Sequence, residues 1–566
     1  MWTMTVKRLC VFSVLVPMLS LLVGCVREPQ RHADTTTVVA ASARTPLRET
    51  LLNDLGPYHR DIRTDSRAAQ QFFDEGLTLL YGFNHAEAVT SFARAAALDD
   101  ASPMPHWGMA LALGTNINDA APAERVAKAY THLVDAIKRT TNGAAVEQGL
   151  VAALAKRYVA EPTGDQSVRE RAYSASMRAL AQRFPDDADV AALYAESMMN
   201  LHPWRLYRAD GTPESWTPAI VATLEHVMSL APNHPGANHY YIHAVEASRT
   251  PQRALRSASL LETLVPGAGH LVHMPAHIYI RTGQYTQAAR SNAVAAAVDE
   301  KYFRTPTPQT FYAMAYYGHN LQFESAAAMY AGNFAEARAA ARRTAALAEP
   351  AADQMAMLEP FAAQETLVLV RFGAWSEVLD QRAPKASRAI QSGLYHWSRG
   401  AAFAHTQRPA DARVQLDSLK NARARVPNDA MVGPVNSGGD VLAVAEADLR
   451  GRIAFASGDT NGAIAAFTAA VAAEDRLGYN EPPDWLLPER ERLGAMLMTA
   501  GRFREAEAVF REELRHNVGN PRALFGLWRS LESQHQLESA AGAKRAFEIA
   551  WRGADITPGI DLLPKR

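Results

Sequence analysis

The feature that most constrains the fold is a spacing of small and aromatic residues that recurs along the chain. In three segments, which begin at Gly76, Gly451 and Gly494, a Gly precedes an Ala by twelve residues and a Phe by sixteen. Small residues at matching positions let the two helices of a hairpin approach closely, and the aromatic ring fills the gap toward the next hairpin. The spacing therefore predicts a stack of helical hairpins.

A second recurring pattern marks the turns between paired helices. A Gly that ends one helix precedes an early Ala of the next by five residues in Gly283–Ala288, Gly332–Ala337 and Gly501–Ala506. With these patterns the chain resembles the tetratricopeptide repeat family, whose unit is a helix–turn–helix of 34 residues. The resemblance covers most of residues 65–550, and it implies an all-α fold, a right-handed superhelical solenoid of tetratricopeptide-like helical hairpins.

The N-terminus carries the features of an export signal. Lys7 and Arg8 precede an apolar run over Leu9–Val23, which is too short for a transmembrane helix. Residues 1–24 are therefore predicted to be a lipoprotein signal peptide. The Leu-Val-Gly that precedes Cys25 resembles a bacterial lipobox, which implies cleavage before this cysteine and attachment of lipid to its thiol.

The lipid would anchor an exported cell-envelope protein to a membrane. Because Val26 stands where inner-membrane lipoproteins often carry Asp, the outer membrane is favoured. Residues 25–60 begin with a stretch rich in Thr, Ala, Arg and Pro and are predicted to form a flexible tether.

The remaining chain is predicted to form two repeat arrays. An N-terminal array spans 61–425 and a C-terminal array spans 441–556, with the Pro-, Gly- and Asn-rich Val426–Asp440 as a joint between them. Lys and Arg total 58, Asp and Glu total 59, and both signs are spread along the chain. This balance argues against a nucleic-acid partner, which would favour a basic stripe.

Four histidines lie on a grid inside the first array. His239 and His243 are four residues apart, as are His273 and His277, and the second pair follows the first by 34 residues. A spacing of four places two side chains on one helix face. Since 34 residues is one repeat, the four imidazoles are predicted to lie together on neighbouring helices.

In tetratricopeptide arrays the first helix of each repeat lines the concave surface, so the resemblance implies that this cluster faces a groove. The stretches Tyr81–His85, His234–Tyr241 and His273–Tyr279 also look like those of a group of bacterial tetratricopeptide proteins, a likeness that implies a fold and no reaction. The predicted ligand groove consists of Asn238, His239, His243, Glu246, His270, His273, His277 and His319.

Three functions for the cluster stay open from the sequence. In the first, a protein or peptide segment, or a small ligand, binds in the groove around the histidines. In the second, His239, His243, His273 and His277 hold one transition metal ion, such as zinc, iron or copper, as part of an enzyme. In the third, the chain is an assembly scaffold. No phosphate-binding loop, dinucleotide fingerprint, serine-hydrolase elbow or haem-attachment motif is present.

Overall fold

A computed structural model describes residues 48–161, 164–304 and 312–557, which all belong to one compact unit. Over these ranges the structure is helical, and extended pairing is limited to isolated bridges. The predicted fold class, an all-α solenoid of helical hairpins, is confirmed. The predicted signal peptide and Cys25 lie outside the described residues.

Helices α1–α13 occupy the N-terminal half of the described chain. They are α1 (Arg67–Tyr81), α2 (His85–Leu98), α3 (Pro103–Ala112), α4 (Ala123–Arg139), α5 (Ala145–Leu154), α6 (Gln166–Arg183), α7 (Ala188–Asn200), α8 (Thr217–Leu230), α9 (Pro235–Val245), α10 (Leu255–Leu264), α11 (Gly269–His273), α12 (Pro275–Arg281) and α13 (Tyr285–Tyr302).

Helices α14–α26 follow a short π-helix, Ala313–Tyr317. They are α14 (Gly318–Ala331), α15 (Phe334–Ala348), α16 (Glu359–Ala362), α17 (Gln364–Arg371), α18 (Trp375–Asp380), α19 (Ala389–His405), α20 (Pro409–Arg423), α21 (Gly438–Ala456), α22 (Thr460–Glu474), α23 (Glu489–Thr499), α24 (Phe503–His516), α25 (Pro521–Ser533) and α26 (Leu537–Ala550). Short 3-10 turns lie at Thr140–Asn142, Pro251–Ala254 and Ala356–Leu358.

The glycines of the repeat pattern permit close packing of helices. A Cβ at Gly76 would lie 2.7 Å from the Phe92 ring, and a Cβ at Gly108 on the next hairpin would lie 2.7 Å from the same ring. Phe92 is fully buried between them. The aromatic ring therefore fills the space between successive hairpins, as the spacing predicts.

The turn glycines adopt the backbone conformation that the pattern requires. Gly283, Gly332 and Gly501 have φ values of +80°, +79° and +73°. This left-handed region favours glycine, since a side chain there meets the following carbonyl. Each glycine lets the chain reverse between two packed helices.

Residues 48–60, the last part of the predicted tether, are bonded to the helical body. Arg48 pairs with Glu75 and Glu87, and Arg60 Nη1 donates to Asp189 Oδ2 at 2.8 Å. The packed body therefore begins before residue 61. The predicted joint 426–440 also contributes buried side chains to the large apolar core that runs through the first array. The boundary between two arrays stays a prediction.

Pro275 divides the helix that carries the second histidine pair. Because proline lacks an N–H, α11 ends at His273 and α12 begins at Pro275, with Met274 between them in helical conformation. The sequence predicts a start or a kink at this place, and the structure has a break between two short helices. None of the described helices is long and apolar enough to span a membrane.

Candidate functional site

Three neighbouring helical segments bring six histidines together. Helix α9 supplies His239 and His243, the broken pair α11 and α12 supplies three more, and α14 supplies the last. The rings of His239 and His243 have centroids 5.0 Å apart, and those of His243 and His277 are 5.4 Å apart. The predicted clustering of imidazoles across two successive hairpins is therefore present. The six are His239, His243, His270, His273, His277 and His319.

Five of the six histidines are removed from solvent. The most exposed of these five is His243, at 6%, while His239 and His273 are fully buried. His319 is partly exposed at the edge of the cluster. A buried imidazole needs partners for both ring nitrogens, so the hydrogen bonds of each ring decide what the cluster can do.

Glu246 joins two of the rings. His243 Nδ1 lies 2.8 Å from Glu246 Oε1, and His277 Nδ1 lies 2.5 Å from Glu246 Oε2. A carboxylate accepts hydrogen bonds only, so each Nδ1 carries the hydrogen that it donates. One carboxylate thereby fixes the orientation of a ring from each of two hairpins.

Two more rings are held in the same way by neutral oxygens. His273 Nδ1 donates to Asn292 Oδ1 at 2.6 Å, and the Asn292 amide nitrogen donates to the Ala288 carbonyl, which fixes which amide atom faces the ring. His239 Nδ1 donates to the Tyr81 carbonyl at 2.6 Å. In a neutral ring with the hydrogen on Nδ1, Nε2 carries a lone pair.

The lone pairs of two rings face each other. His273 Nε2 and His277 Nε2 are 2.8 Å apart, and the Nδ1 atoms of both rings are engaged with oxygen acceptors. Two acceptors at this distance repel each other unless a proton or a metal ion lies against both. Ligands about 2.0–2.1 Å from one ion at a right angle to each other are separated by about 2.9 Å. The observed distance therefore fits two ligands of one ion.

The donor atoms gather into three groups of three: one consists of His243, Glu246 and His277, and the other two contain histidines only. One ring nitrogen from each of His239, His243 and His270 lies within 4.8 Å of the others, and the same holds for His273, His277 and His319. We call these the first and the second triad. The four histidines predicted to hold a single ion are divided between the two triads, two in each. Their role as metal ligands stays a prediction.

His270 completes the first triad, and within the described chain neither of its ring nitrogens has a hydrogen-bond partner. Its ring lies 4.9 Å from that of His239 and packs edge-on against Tyr316 at 4.7 Å. Phe83 lies on another side, at 5.6 Å. Aromatic walls exclude water, so this imidazole is buried without a partner that would offset its desolvation.

Burial decides the charge of the rings. It lowers the pKa of His239, His270 and His273 well below the ordinary value, and neighbouring rings lower it further. Burial likewise lowers the pKa of His319, to about 3. Burial alone would raise the pKa of Glu246, but its two histidine partners hold it well below the usual range. Neutral imidazoles beside an ionised carboxylate are the state in which these groups bind metal.

A narrow opening with a volume of about 20 Å³, room for about one water molecule, borders the cluster. His243 and Glu246 form its inner end, and Trp204 and Tyr479 form part of its wall. The Tyr479 hydroxyl lies 3.4 Å from Glu246 Oε2, so the loop that follows α22 closes over the site from far along the chain. A water-sized ligand in this opening would lie beside His243.

The other predicted residues have structural roles in the fold. Asn238 does not face the rings, because its amide nitrogen donates to the carbonyls of Pro232 and His234. The hydroxyls of Tyr241 and Tyr279 donate hydrogen bonds to Glu225 and Glu262 on neighbouring helices.

Four residues of the site carry no signal in the sequence. Tyr81 contributes only its backbone carbonyl, Asn292 lies on α13 in no recognisable motif, and Phe83 and Tyr316 supply apolar surface. In the sequence, the stretch around Tyr81 stood out only by its likeness to bacterial tetratricopeptide proteins.

Comparison with known proteins gives helical-repeat neighbours at low similarity. No protein-family model matches the chain, and no curated protein does. Among solved structures, the human IFIT1 dimer with m7Gppp-AAAA is 11% identical, with 88% of this chain and 92% of that chain covered, at a TM-score of 0.32. Yeast Tom70 is 10% identical, with 85% and 90% covered, at a TM-score of 0.30. Naa15/Naa10 bound to HypK-THB is 11% identical, with 86% and 90% covered, at a TM-score of 0.24.

Similarity at this level carries no argument about a ligand or a reaction. The chain is a helical-repeat scaffold, an architecture consistent with binding a protein or a ligand.

Proposed function

We propose that this chain is a metal-dependent protein whose imidazole cluster binds a transition metal and whose narrow opening gives a water-sized ligand access to it. The observation that carries the proposal is the 2.8 Å approach of His273 Nε2 to His277 Nε2, with both Nδ1 atoms already donating to oxygens. Hydrogen bonds that fix the tautomer of each ring are the outer shell that metal-binding histidines ordinarily have.

The chemistry of the donors selects a class of metal. Neutral imidazole nitrogens suit zinc, iron or copper, whereas magnesium and calcium prefer oxygen ligands. Three histidines leave coordination positions open on an ion, where water, dioxygen or a substrate atom can bind. The narrow opening at His243 and Glu246 gives a water-sized ligand a path to the metal.

Recognition of a peptide by the histidines themselves is the weaker alternative. Five of the rings are at most 6% exposed, so an extended segment laid along the surface would not reach them. A peptide partner would have to bind elsewhere on the scaffold. No feature of the described residues favours a particular surface for it.

Metal content of the purified full-length chain tests the proposal. After loading with zinc(II), iron(II) or copper(II) and removal of free metal, we expect at least one equivalent of one of these ions to remain bound. His277→Ala should lower the content, because this ring contacts both Glu246 and His273. His226→Ala, on the exposed face of α8, is the matched control. Retention of none of the three metals would overturn the proposal.

The proposal also places the protein in the cell envelope, held by lipid at Cys25. The support is the lipobox-like sequence that ends at this cysteine. Cys25→Ser should abolish lipid labelling and release the protein from membranes. Continued labelling of that variant would contradict the assignment.

A further inference from the structure

We infer that the cluster holds two metal ions, one in each triad, and that Glu246 positions one histidine ligand of each ion. The inference rests on the proposed function and adds a second ion to it.

A single ion cannot be shared by all six rings in this arrangement. Opposite ligands of one ion lie at most about 4.2 Å apart when each bond is about 2.1 Å. Among the described residues, the sets of ring nitrogens that lie within 4.8 Å of one another contain at most three rings each, and none contains all six. Two neighbouring centres account for all six rings.

Glu246 explains why the triads diverge. His243 and His277 both direct Nδ1 to its carboxylate, so the Nε2 atom on the other side of each ring faces away from Glu246. The Nε2 atom of His277 meets that of His273 in the second triad. His243 Nε2 is buried without a hydrogen-bond partner among the described residues, as is His239 Nε2, and both rings belong to the first triad.

His270 provides an independent reason for an ion in the first triad. Both nitrogens of its ring are buried without a hydrogen-bond partner among the described residues. An unpartnered buried imidazole costs free energy, which a bond to a metal would offset. The excess positive charge of two ions beside one carboxylate would favour an anionic ligand between them, such as hydroxide.

Counting bound ions in single-triad variants tests the inference. With zinc(II) as the probe, the full-length chain should retain two equivalents. His270→Ala should retain one, from the second triad, and His319→Ala should retain one, from the first. His226→Ala should retain two. Circular dichroism verifies the fold, and His270→Asn and His319→Asn replace any alanine variant that fails to fold.

The outcomes separate the two proposals. One equivalent in the unaltered chain, lost in both variants, would overturn the two-ion inference and leave the proposed function standing. No bound metal at all would overturn the proposed function itself. If the unaltered chain bound two zinc(II) ions and either variant lost both of them, the triads would not be separate sites.

A spectroscopic measurement gives a second test that does not depend on stoichiometry. Copper(II) in both triads should give an electron paramagnetic resonance signal that is broadened or lost through coupling of the two ions. The His270→Ala chain, with one ion, should give the sharp signal of isolated copper(II). An isolated signal from the fully loaded unaltered chain would contradict neighbouring ions.

Discussion

The histidine cluster and the Arg371–Glu491 pair are both buried groups of polar side chains, and they satisfy their polar atoms differently. Arg371 donates from two nitrogens to the two carboxylate oxygens of Glu491, at 2.6 and 3.0 Å, and Asn520 donates to the same carboxylate at 2.8 Å. Both side chains of the ion pair are fully buried. Arg371 Nε has no hydrogen-bond partner among the described residues, but each contact within the pair joins a donor to an acceptor, so α17 and α23 are held together without an added group.

In the histidine cluster, by contrast, two ring nitrogens whose rings already donate through Nδ1 face each other. His273 Nε2 and His277 Nε2 approach each other, and His270 has no partner among the described residues. The comparison separates two uses of buried polarity. A matched network stabilises the packing of helices, whereas two facing ring nitrogens need a proton or a metal ion between them.

The largest effect is expected from breaking the matched network. Glu491→Ala leaves the Arg371 guanidinium buried without its carboxylate, and we expect the free energy of unfolding to fall by about 3–5 kcal/mol. The double variant Arg371→Met/Glu491→Leu replaces both charges by apolar groups and should recover most of that loss. Chemical denaturation measures both. A double variant as unstable as Glu491→Ala would show that the pair acts through something other than charge.

A buried carboxyl that makes no ion pair among the described residues gives the next effect, a change of stability with pH. Glu324 lies on α14, and burial raises its pKa to about 7 from an ordinary value of 4.5. Between these values the folded state binds a proton that the unfolded state has released, so stability falls as pH rises from about 4.5 to 7, by about 3 kcal/mol in all.

The matched variants test this sign. Glu324→Gln should remove the loss of stability over that range of pH. At Glu491, burial would raise the pKa but Arg371 and Arg522 lower it, so its contribution to stability is present above pH 4.5 and is lost as pH falls below that value. Unfolding free energies from pH 3 to 8 measure both slopes. A Glu324→Gln profile identical to that of the unaltered chain would contradict the assignment.

The sequence predicted the part of the site that follows from repeat geometry. Residues His239, His243, His273 and His277 cluster because a spacing of four fixes a helix face and a spacing of 34 fixes the neighbouring hairpin. Repeat position also brought Glu246 into the candidate set. The helical fold followed from the same periodicity, since glycine and phenylalanine mark each hairpin.

The rest depends on contacts that no local pattern encodes. The acceptor for His239 is a backbone carbonyl 158 residues away, and the acceptor for His273 is an amide on another helix. Division into two triads depends on the directions of rings on both sides of the break at Pro275, which a uniform repeat does not describe. Repeat spacing therefore gives the neighbours of a residue and leaves open which ring atoms face each other.

Adding metal should stabilise the protein through the histidine cluster and not through the ion pair. At a free zinc(II) concentration of 100 times the dissociation constant, we expect about 2.7 kcal/mol of added stability for each site that is absent from the unfolded chain. Thermal unfolding with zinc(II) and with a chelator measures the difference. Arg371→Met/Glu491→Leu should keep the whole increment, and His277→Ala should lose about half of it, the share of the second triad. An equal increment in His277→Ala would place the metal elsewhere.

The smallest effect tests whether Glu246 acts by orienting the rings. Glu246→Gln keeps the shape of the side chain but offers one oxygen acceptor where two Nδ1–H groups now donate. One ring must then lose its hydrogen bond or change its tautomer, and an outer-shell change of this kind weakens metal binding by about 10–100-fold. The number of bound ions should not change, because Glu246 donates no ligand atom in this arrangement.

Glu481→Gln is the matched control, since Glu481 is also buried near Arg281 and Tyr479 but has no histidine bond among the described contacts. If Glu246→Gln removed an ion outright, the carboxylate would itself be a ligand, and the contrast with Glu491 would become one between a carboxylate that binds a metal and one that binds an arginine.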